Sequence, residues 1–189
     1  KVALLPELDP PLRHQEQVKF HVGRSETHAK LYTFDGKPLA AGTTGYATIT
    51  LEEPVGAACH DRFILRRPSP AMTVAGGEIL AIPAGRGRRR KREALAALQA
   101  KDAFLGESDP RTREGVKKRV EWHLREECRG DCTREGICLD LLLPPEEAAA
   151  ALAELREEGR VLPLGEEIFI HRERLARCLA EAERRIEAA

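Results

Sequence analysis

His123, Cys128, Cys132 and Cys138 lie close together in the sequence as H-x4-C-x3-C-x5-C. Four nitrogen and sulfur donors are the number a tetrahedral zinc site requires, but such ligands commonly pair at two- to four-residue spacing. The alternative is a group of small, partly buried thiols in a helical turn, and the irregular spacing favours it. A second chemistry is electrostatic. Arg86, Arg88, Arg89, Arg90, Lys91 and Arg92 place six cations in seven residues. Such a strip attracts a phosphate backbone, and it also reads as the solvated face of a linker. Covalent catalysis has no comparable basis. His60 and Asp61 are adjacent, yet spacing supplies neither a nucleophile nor a partnered base. The H-x-E pattern of a zinc deaminase is absent.

The remaining composition bounds what these groups can belong to. A chain of 189 residues, 42% hydrophobic and 33% charged, is long enough for one or two cores. Five cysteines, an odd number, argue against a secreted disulfide framework and predict reduced thiols in a cytoplasmic protein. No apolar run reaches the roughly 20 residues that span a bilayer, and no signal-peptide pattern opens the chain. The expectation is therefore no membrane partner. Formal net charge is zero, but residues 86–102 carry seven basic groups against two acidic ones, and residues 103–189 are net acidic.

Two periodicities divide the elements that must position these residues. Val18, Phe20 and Val22 alternate with Lys19 and His21, and YATITL alternates likewise, as half-buried strands do. HAKLYTF and RFILR are further strands. Asp35-Gly36, Gly42, Gly45 and Pro54-Val55-Gly56 mark turns, and Asp35-Gly36 is the clearest hairpin signal. Five to seven short strands over some 80 residues predict a small antiparallel barrel, closed or nearly so. In DRFILRRPSPAMTVAGGEIL, Pro68 and Pro70 predict a rigid corner, and Gly76-Gly77 predicts a glycine kink or bulge in the next strand. From residue 93 onwards the period is helical. Helices are expected over 93–103, 112–128, 133–142 with Thr133 as N-cap, and 145–158. A hairpin follows in VLPLGEEIFIH, and a last helix carries Leu175, Leu179, Ala182 and Ile186 on one stripe. Helices followed by a hairpin and a helix form the winged-helix arrangement. The predicted fold class is multi-domain β + α. Residues 1–85 form the barrel, 86–103 a basic linker and connecting helix, and 104–189 the winged-helix domain.

Three stretches, in order, carry a family resemblance. His14, Val18, His21, Val22 and Gly23 fall in RHQEQVKFHVGRSETHAKL. GTTGYATITLEEPVGAACHDRF follows. Then come Asp61-Arg62-Phe63, Arg66, Ser69-Pro70, Thr73 and Gly76-Gly77. Together they resemble the third barrel of translational GTPases related to elongation factor Tu, and above all bacterial selenocysteine-specific elongation factors. The likeness covers about residues 1–85. It implies the third barrel and first winged helix of a longer factor that delivers selenocysteyl-tRNA to the ribosome. It also implies GTP and Mg²⁺ as cofactors of the whole factor, and a messenger-RNA hairpin bound through further winged helices. No G-x-x-x-x-G-K-[ST] run is present, so this piece is expected to bind no cofactor and to be no enzyme by itself. Met72 stands where the family carries arginine, and Ala75 where it carries the first of three glycines. Both departures weaken the expected approach to tRNA.

The resemblance nominates an RNA-facing set: Arg24, Ser25 and Thr27 after a strand, then Arg66, Arg67, Thr73, Gly76 and Gly77 around the proline corner. The cations at 86 and 88–92 join them on charge. Guanidinium and hydroxyl groups suit phosphate and 2′-OH. An ordinary polar turn competes at Arg24–Thr27, and a structural ion pair at Arg66 and Arg67. Helix 145–158 presents Glu146, Glu147, Glu154, Glu157 and Glu158 against Arg156, and Glu166 and Glu167 lie in the wing. Such a surface repels phosphate, so this winged helix is expected to act as a spacer. That acidity also counts against the rival reading, a DNA-binding regulator with a ligand-sensing β-domain.

Overall fold

The computed structural model describes residues 1–82, 91–106, 109–128, 132–165 and 167–187. The chain divides into two compact units, Lys1–Asp102 and Ala103–Ala189.

The first unit is built on seven antiparallel strands: β1 (Val2–Leu4), β2 (Gln17–Val22), β3 (Ser25–Thr33), β4 (Thr44–Gly45), β5 (Ala47–Leu51), β6 (Arg62–Arg67) and β7 (Met72–Glu78). Their order is β4-β1-β7-β6-β2-β3-β5. The two edge strands are one stretch of chain, because only Tyr46 separates β4 from β5. That stretch pairs Gly45 with Val2 on one side and Ala47 with Thr33 on the other. The sheet therefore curls onto itself as a barrel, as the strand count predicts. Alternation fills the interior with Val18, Phe20, Val22, Ala29, Leu31, Phe63, Leu65 and Val74, all buried. Burying each large apolar side chain of this kind contributes about 1.5–3 kcal/mol.

Two local expectations are corrected. Asp35-Gly36 does not close a two-residue hairpin, since β3 pairs with β5 rather than with the next strand in sequence. The Asp35 carboxylate instead accepts the Lys37 N–H at 3.0 Å, and Leu39 bridges back to Leu12. The expected irregularity does fall in β7, but at Val74, which is skipped between the Leu65–Ala75 and Arg66–Thr73 pairs, not at the glycines. Gly76 and Gly77 continue β7 between β1 and β6. A Cβ at Gly77 would overlap the Lys1 carbonyl oxygen and the Phe63 ring. The close approach that this glycine permits is thus internal to the barrel.

Helix α1 (Lys91–Leu105) brings Asp102 to the closure. Tyr46 Oη donates to Asp102 Oδ2 at 2.6 Å, and Lys1 Nζ lies 3.0 Å from Oδ1. Burial alone would raise the Asp102 carboxyl, but the hydrogen bonds from Tyr46 and Lys1 overcome it and hold the group below its ordinary range. The Tyr46 phenol is pushed up to about 12 by burial first, and then by the Asp102 hydrogen bond and charge.

The second unit contains α2 (Arg113–Trp122), which runs into a π-helical turn at His123–Glu127. Then come α3 (Arg134–Leu141), α4 (Pro145–Glu157), β8 (Val161–Leu164), β9 (Ile168–His171) and α5 (Arg172–Glu187). Thr133 caps α3 by accepting the Gly136 N–H at 3.1 Å, and Gly159 ends α4 at a φ of 68°. Thr133 bridges Ile168, and Phe169 N–H donates to the Cys132 carbonyl at 2.9 Å. Residues 132 and 133 are thereby bridged to the edge of the β8–β9 hairpin. Helices, hairpin and terminal helix follow the winged-helix-like order that the sequence predicts. The predicted stripe of α5 is not core: Leu179 is 56% and Ile186 76% exposed.

Gly77→Ala is expected to lower unfolding stability by about 1–3 kcal/mol in urea melts, because backbone and ring must both shift. For Tyr46, a raised folded-state pKa means stability that is complete below the ordinary phenol value of about 10 and is lost as pH rises through about 12. Thermal melts across that window should fall less steeply for Tyr46→Phe than for the parent chain.

Candidate nucleic-acid interface

The outer face of the barrel follows from the same alternation that fills its interior. On β6, Phe63, Leu65 and Arg67 point inward, while Arg62, Ile64 and Arg66 are exposed. Register aligns Thr73 of β7, Arg66 of β6, Lys19 of β2 and His28 of β3 in one cross-strand row. The next row on this face holds Ile64, His21 and Glu26. Lys30 of β3 lies opposite Gln17. The guanidinium groups of Arg62 and Arg66 and the Lys30 ammonium make no hydrogen bond or ion pair among the described residues. Glu26 is the carboxylate of this patch, and Lys19 engages it at 2.5 Å. That hydrogen bond, with the charges of Lys19, His21 and Arg66, holds the Glu26 carboxyl below its ordinary range. The face is therefore cationic, with flat hydrogen-bonding imidazoles between the charges. Such a surface suits phosphate and sugar contacts.

The nominated residues divide around this face. Arg66 and Thr73 are exposed and adjacent on it. Arg24 is exposed and Ser25 half-buried at the β2–β3 turn. By register they sit three residue pairs from the Arg66 row, about 10 Å along the strands. Lys91 and Arg92 are exposed at the start of α1. Arg86, Arg88, Arg89 and Arg90 lie outside the described residues.

Four nominated residues are corrected. Thr27 is buried, and its Oγ1 accepts the Glu53 N–H at 3.2 Å. Arg67 is buried: its Nε donates to Glu16 Oε1 at 2.6 Å, and Nη2 donates to the Pro10 and Pro11 carbonyls at 2.8 and 3.1 Å. Gly76 and Gly77 lie within β7, and Gly77 serves ring packing. Lys19, His28 and Lys30 were not singled out in the sequence. The alternation of VKFHV and HAKLYTF that marks a core face marks them equally as its outward partners.

In the second unit the cysteine expectation is also corrected. Cys128 and Cys132 are joined by a disulfide. Their sulfurs are bonded to each other rather than free as reduced thiols, so the set of His123, Cys128, Cys132 and Cys138 is not assembled as zinc ligands. His123 Nε2 lies 3.3 Å from Asp140. Among the described residues, no group of three His, Cys, Asp or Glu side chains could hold a metal ion. Glu154 of α4 and Glu158 just after it turn to Lys117 at 3.5 and 2.9 Å. Glu146, Glu147 and Glu157 remain exposed beside Arg156. No described helix is long and apolar enough to cross a membrane.

Comparison with known proteins finds a likeness over the barrel. Residues 1–86 match the family described as the beta-barrel domain of selenocysteine-specific elongation factor. A selenocysteine-specific elongation factor of Desulfomicrobium baculatum is 38% identical over 97 residues, covering 51% of this chain and 15% of that protein.

The two adjacent arginines should separate in denaturation. Arg67→Ala leaves Glu16 and two carbonyls without their donor and should cost about 3–5 kcal/mol. Arg66→Ala should stay within about 0.5 kcal/mol.

Proposed function

We propose that this chain, whose residues 1–86 match the beta-barrel domain of selenocysteine-specific elongation factors, is a non-catalytic RNA-binding part of such a factor. The barrel is one wall of the site for selenocysteyl-tRNA on its way to the ribosome. The row of Thr73, Arg66, Lys19 and His28, aligned by register on the outer face, carries this reading. Arg66, whose guanidinium makes no hydrogen bond or ion pair among the described residues, can meet a phosphate on this rigid sheet without first breaking an internal ion pair, whereas Lys19 must exchange Glu26 for it. The basic run ending at Lys91 and Arg92 adds attraction that salt screens.

The winged-helix unit is a spacer towards modules that bind the messenger-RNA hairpin. Its α4 face keeps Glu146, Glu147 and Glu157 in solvent, which disfavours reading a phosphate backbone there. The same acidity counts against a DNA-binding regulator. GTP and Mg²⁺ belong to a GTPase domain of the whole factor. The factor works in the cytoplasm, where its RNA partners are.

A filter-binding salt titration tests this with selenocysteine tRNA, an elongator tRNA, the messenger-RNA hairpin and duplex DNA. The parent chain, Arg66→Ala and Arg88→Ala/Arg89→Ala/Arg90→Ala are compared. Each lost phosphate contact should reduce the salt slope by about 1, with tRNA preferred over DNA. Unchanged slopes in both variants, or tight sequence-selective DNA binding, would overturn the reading.

A further inference from the structure

We propose that the cleft bordered by Pro10, Arg13, His14, Gln15, Glu16 and Arg67, about 410 Å³ in volume, is a binding site for a phosphate oxyanion. It is distinct from the outer-face row, because Arg66 and Arg67 point to opposite sides of β6.

The side chains around the cleft are prepared as donors. Thr33 N–H donates to His14 Nδ1 at 3.1 Å, and Thr33 Oγ1 lies 2.9 Å from the same atom. A ring nitrogen that accepts a backbone N–H carries no proton, so neutral His14 bears its proton on Nε2. No described residue takes that proton. The edge-to-face contact with Tyr32, at 5.8 Å between ring centres, further fixes the ring. Arg13 and Gln15 are exposed at the rim, and their side chains have no partner among the described residues.

The one carboxylate of the cleft is already engaged. Glu16 accepts from Arg67 Nε at 2.6 Å and from the Arg13 backbone N–H at 2.7 Å. Its charge is offset by the buried guanidinium, which leaves Arg13 as the uncompensated charge facing a ligand. Gln15 holds a φ of 63°, a left-handed conformation costly for a residue with a Cβ. Gln15 N–H donates to the Leu31 carbonyl at 2.7 Å, and Leu31 N–H donates to the Glu16 carbonyl at 3.0 Å. These bonds hold the unfavourable conformation that sets the amide beside Arg13 and His14. A guanidinium, an imidazole N–H and a carboxamide N–H₂ converging on one volume match the acceptors of a tetrahedral phosphate. The source is either a phosphodiester of an RNA backbone or free phosphate. The proposal does not depend on the tRNA role, so either can fail alone.

The test uses the whole chain labelled with ¹⁵N, following the His14 ring resonances by NMR. Inorganic phosphate is titrated at constant ionic strength against chloride, and a short RNA duplex is titrated separately. A saturable shift at His14 Nε2 is expected, about tenfold weaker in affinity for Arg13→Gln and weaker also for Gln15→Gly. Glycine tolerates the left-handed backbone. Gln15→Gly should therefore melt no lower than the parent while binding less, which a purely structural Gln15 would not produce. Saturation with phosphate assigns the free ion, and saturation with duplex alone assigns a backbone phosphate. A His14 response that never saturates, that chloride reproduces, or that both variants leave unchanged would overturn the site.

Discussion

One stretch of chain, Thr44 to Leu51, serves as both edges of the seven-stranded sheet, and the rest of the barrel depends on that closure. An open sheet would expose two rows of unpaired backbone groups. Here the same segment satisfies β1 with its first residues and β3 with its last. The crossing point is tight. A Cβ at Gly45 would press on a Leu39 methyl, and Tyr46 beside it reaches Asp102 of α1. Closure fixes register, and register fixes which side chains face outward. Because strand side chains alternate with a period of two, a slip of one residue in β6 would exchange Arg66 and Arg67 between surface and interior.

Those two arginines show how position, not residue type, assigns a role. Arg66 stands in a row of polar groups with solvent on one side and makes no hydrogen bond or ion pair among the described residues. Arg67 spends its donors on Glu16 and two proline carbonyls. That clamp ties the end of β6 to the loop at residues 10–16, so the proline corner beside it is first a structural joint. A guanidinium with three internal acceptors is poorly disposed to an external phosphate, since leaving them uncovers a buried carboxylate.

The barrel, its strand count, the Thr133 cap, the Gly159 stop and the wing hairpin were legible because each rests on local chemistry or a short period. What was not legible depends on contacts between residues distant in sequence. The β3–β5 pairing cannot be read from Asp35-Gly36, because Leu39 and Leu12 decide where that loop goes. The need for glycine at 77 arises from the Phe63 ring and the Lys1 carbonyl, both far along the chain. The cysteine spacing suggested a ligand count, but the structure joins Cys128 to Cys132. Of the candidate interface, Arg66 and Thr73 were accessible from family likeness. Lys19, His28 and Lys30 needed only the outward half of a pattern already used for the core.

The winged-helix-like unit shows why counting charges on a helix misleads. Five glutamates on and just after α4 suggest strong repulsion, yet two are consumed by Lys117 of α2. Those pairs fasten α4 to α2, whose Glu121 is only 2% exposed and is contacted by Arg160 and by His171 at 3.3 Å. Glu173 N–H donates to His171 Nδ1 at 3.2 Å, so neutral His171 carries its proton on Nε2, facing Glu121. The wing is therefore joined to α2 through a buried carboxylate. Removing that carboxylate would strand a buried imidazole and loosen the hairpin from its helix. The acidic character of the unit is thus partly the means of holding it together. Only the exposed remainder, Glu146, Glu147 and Glu157, bears on what the surface will accept.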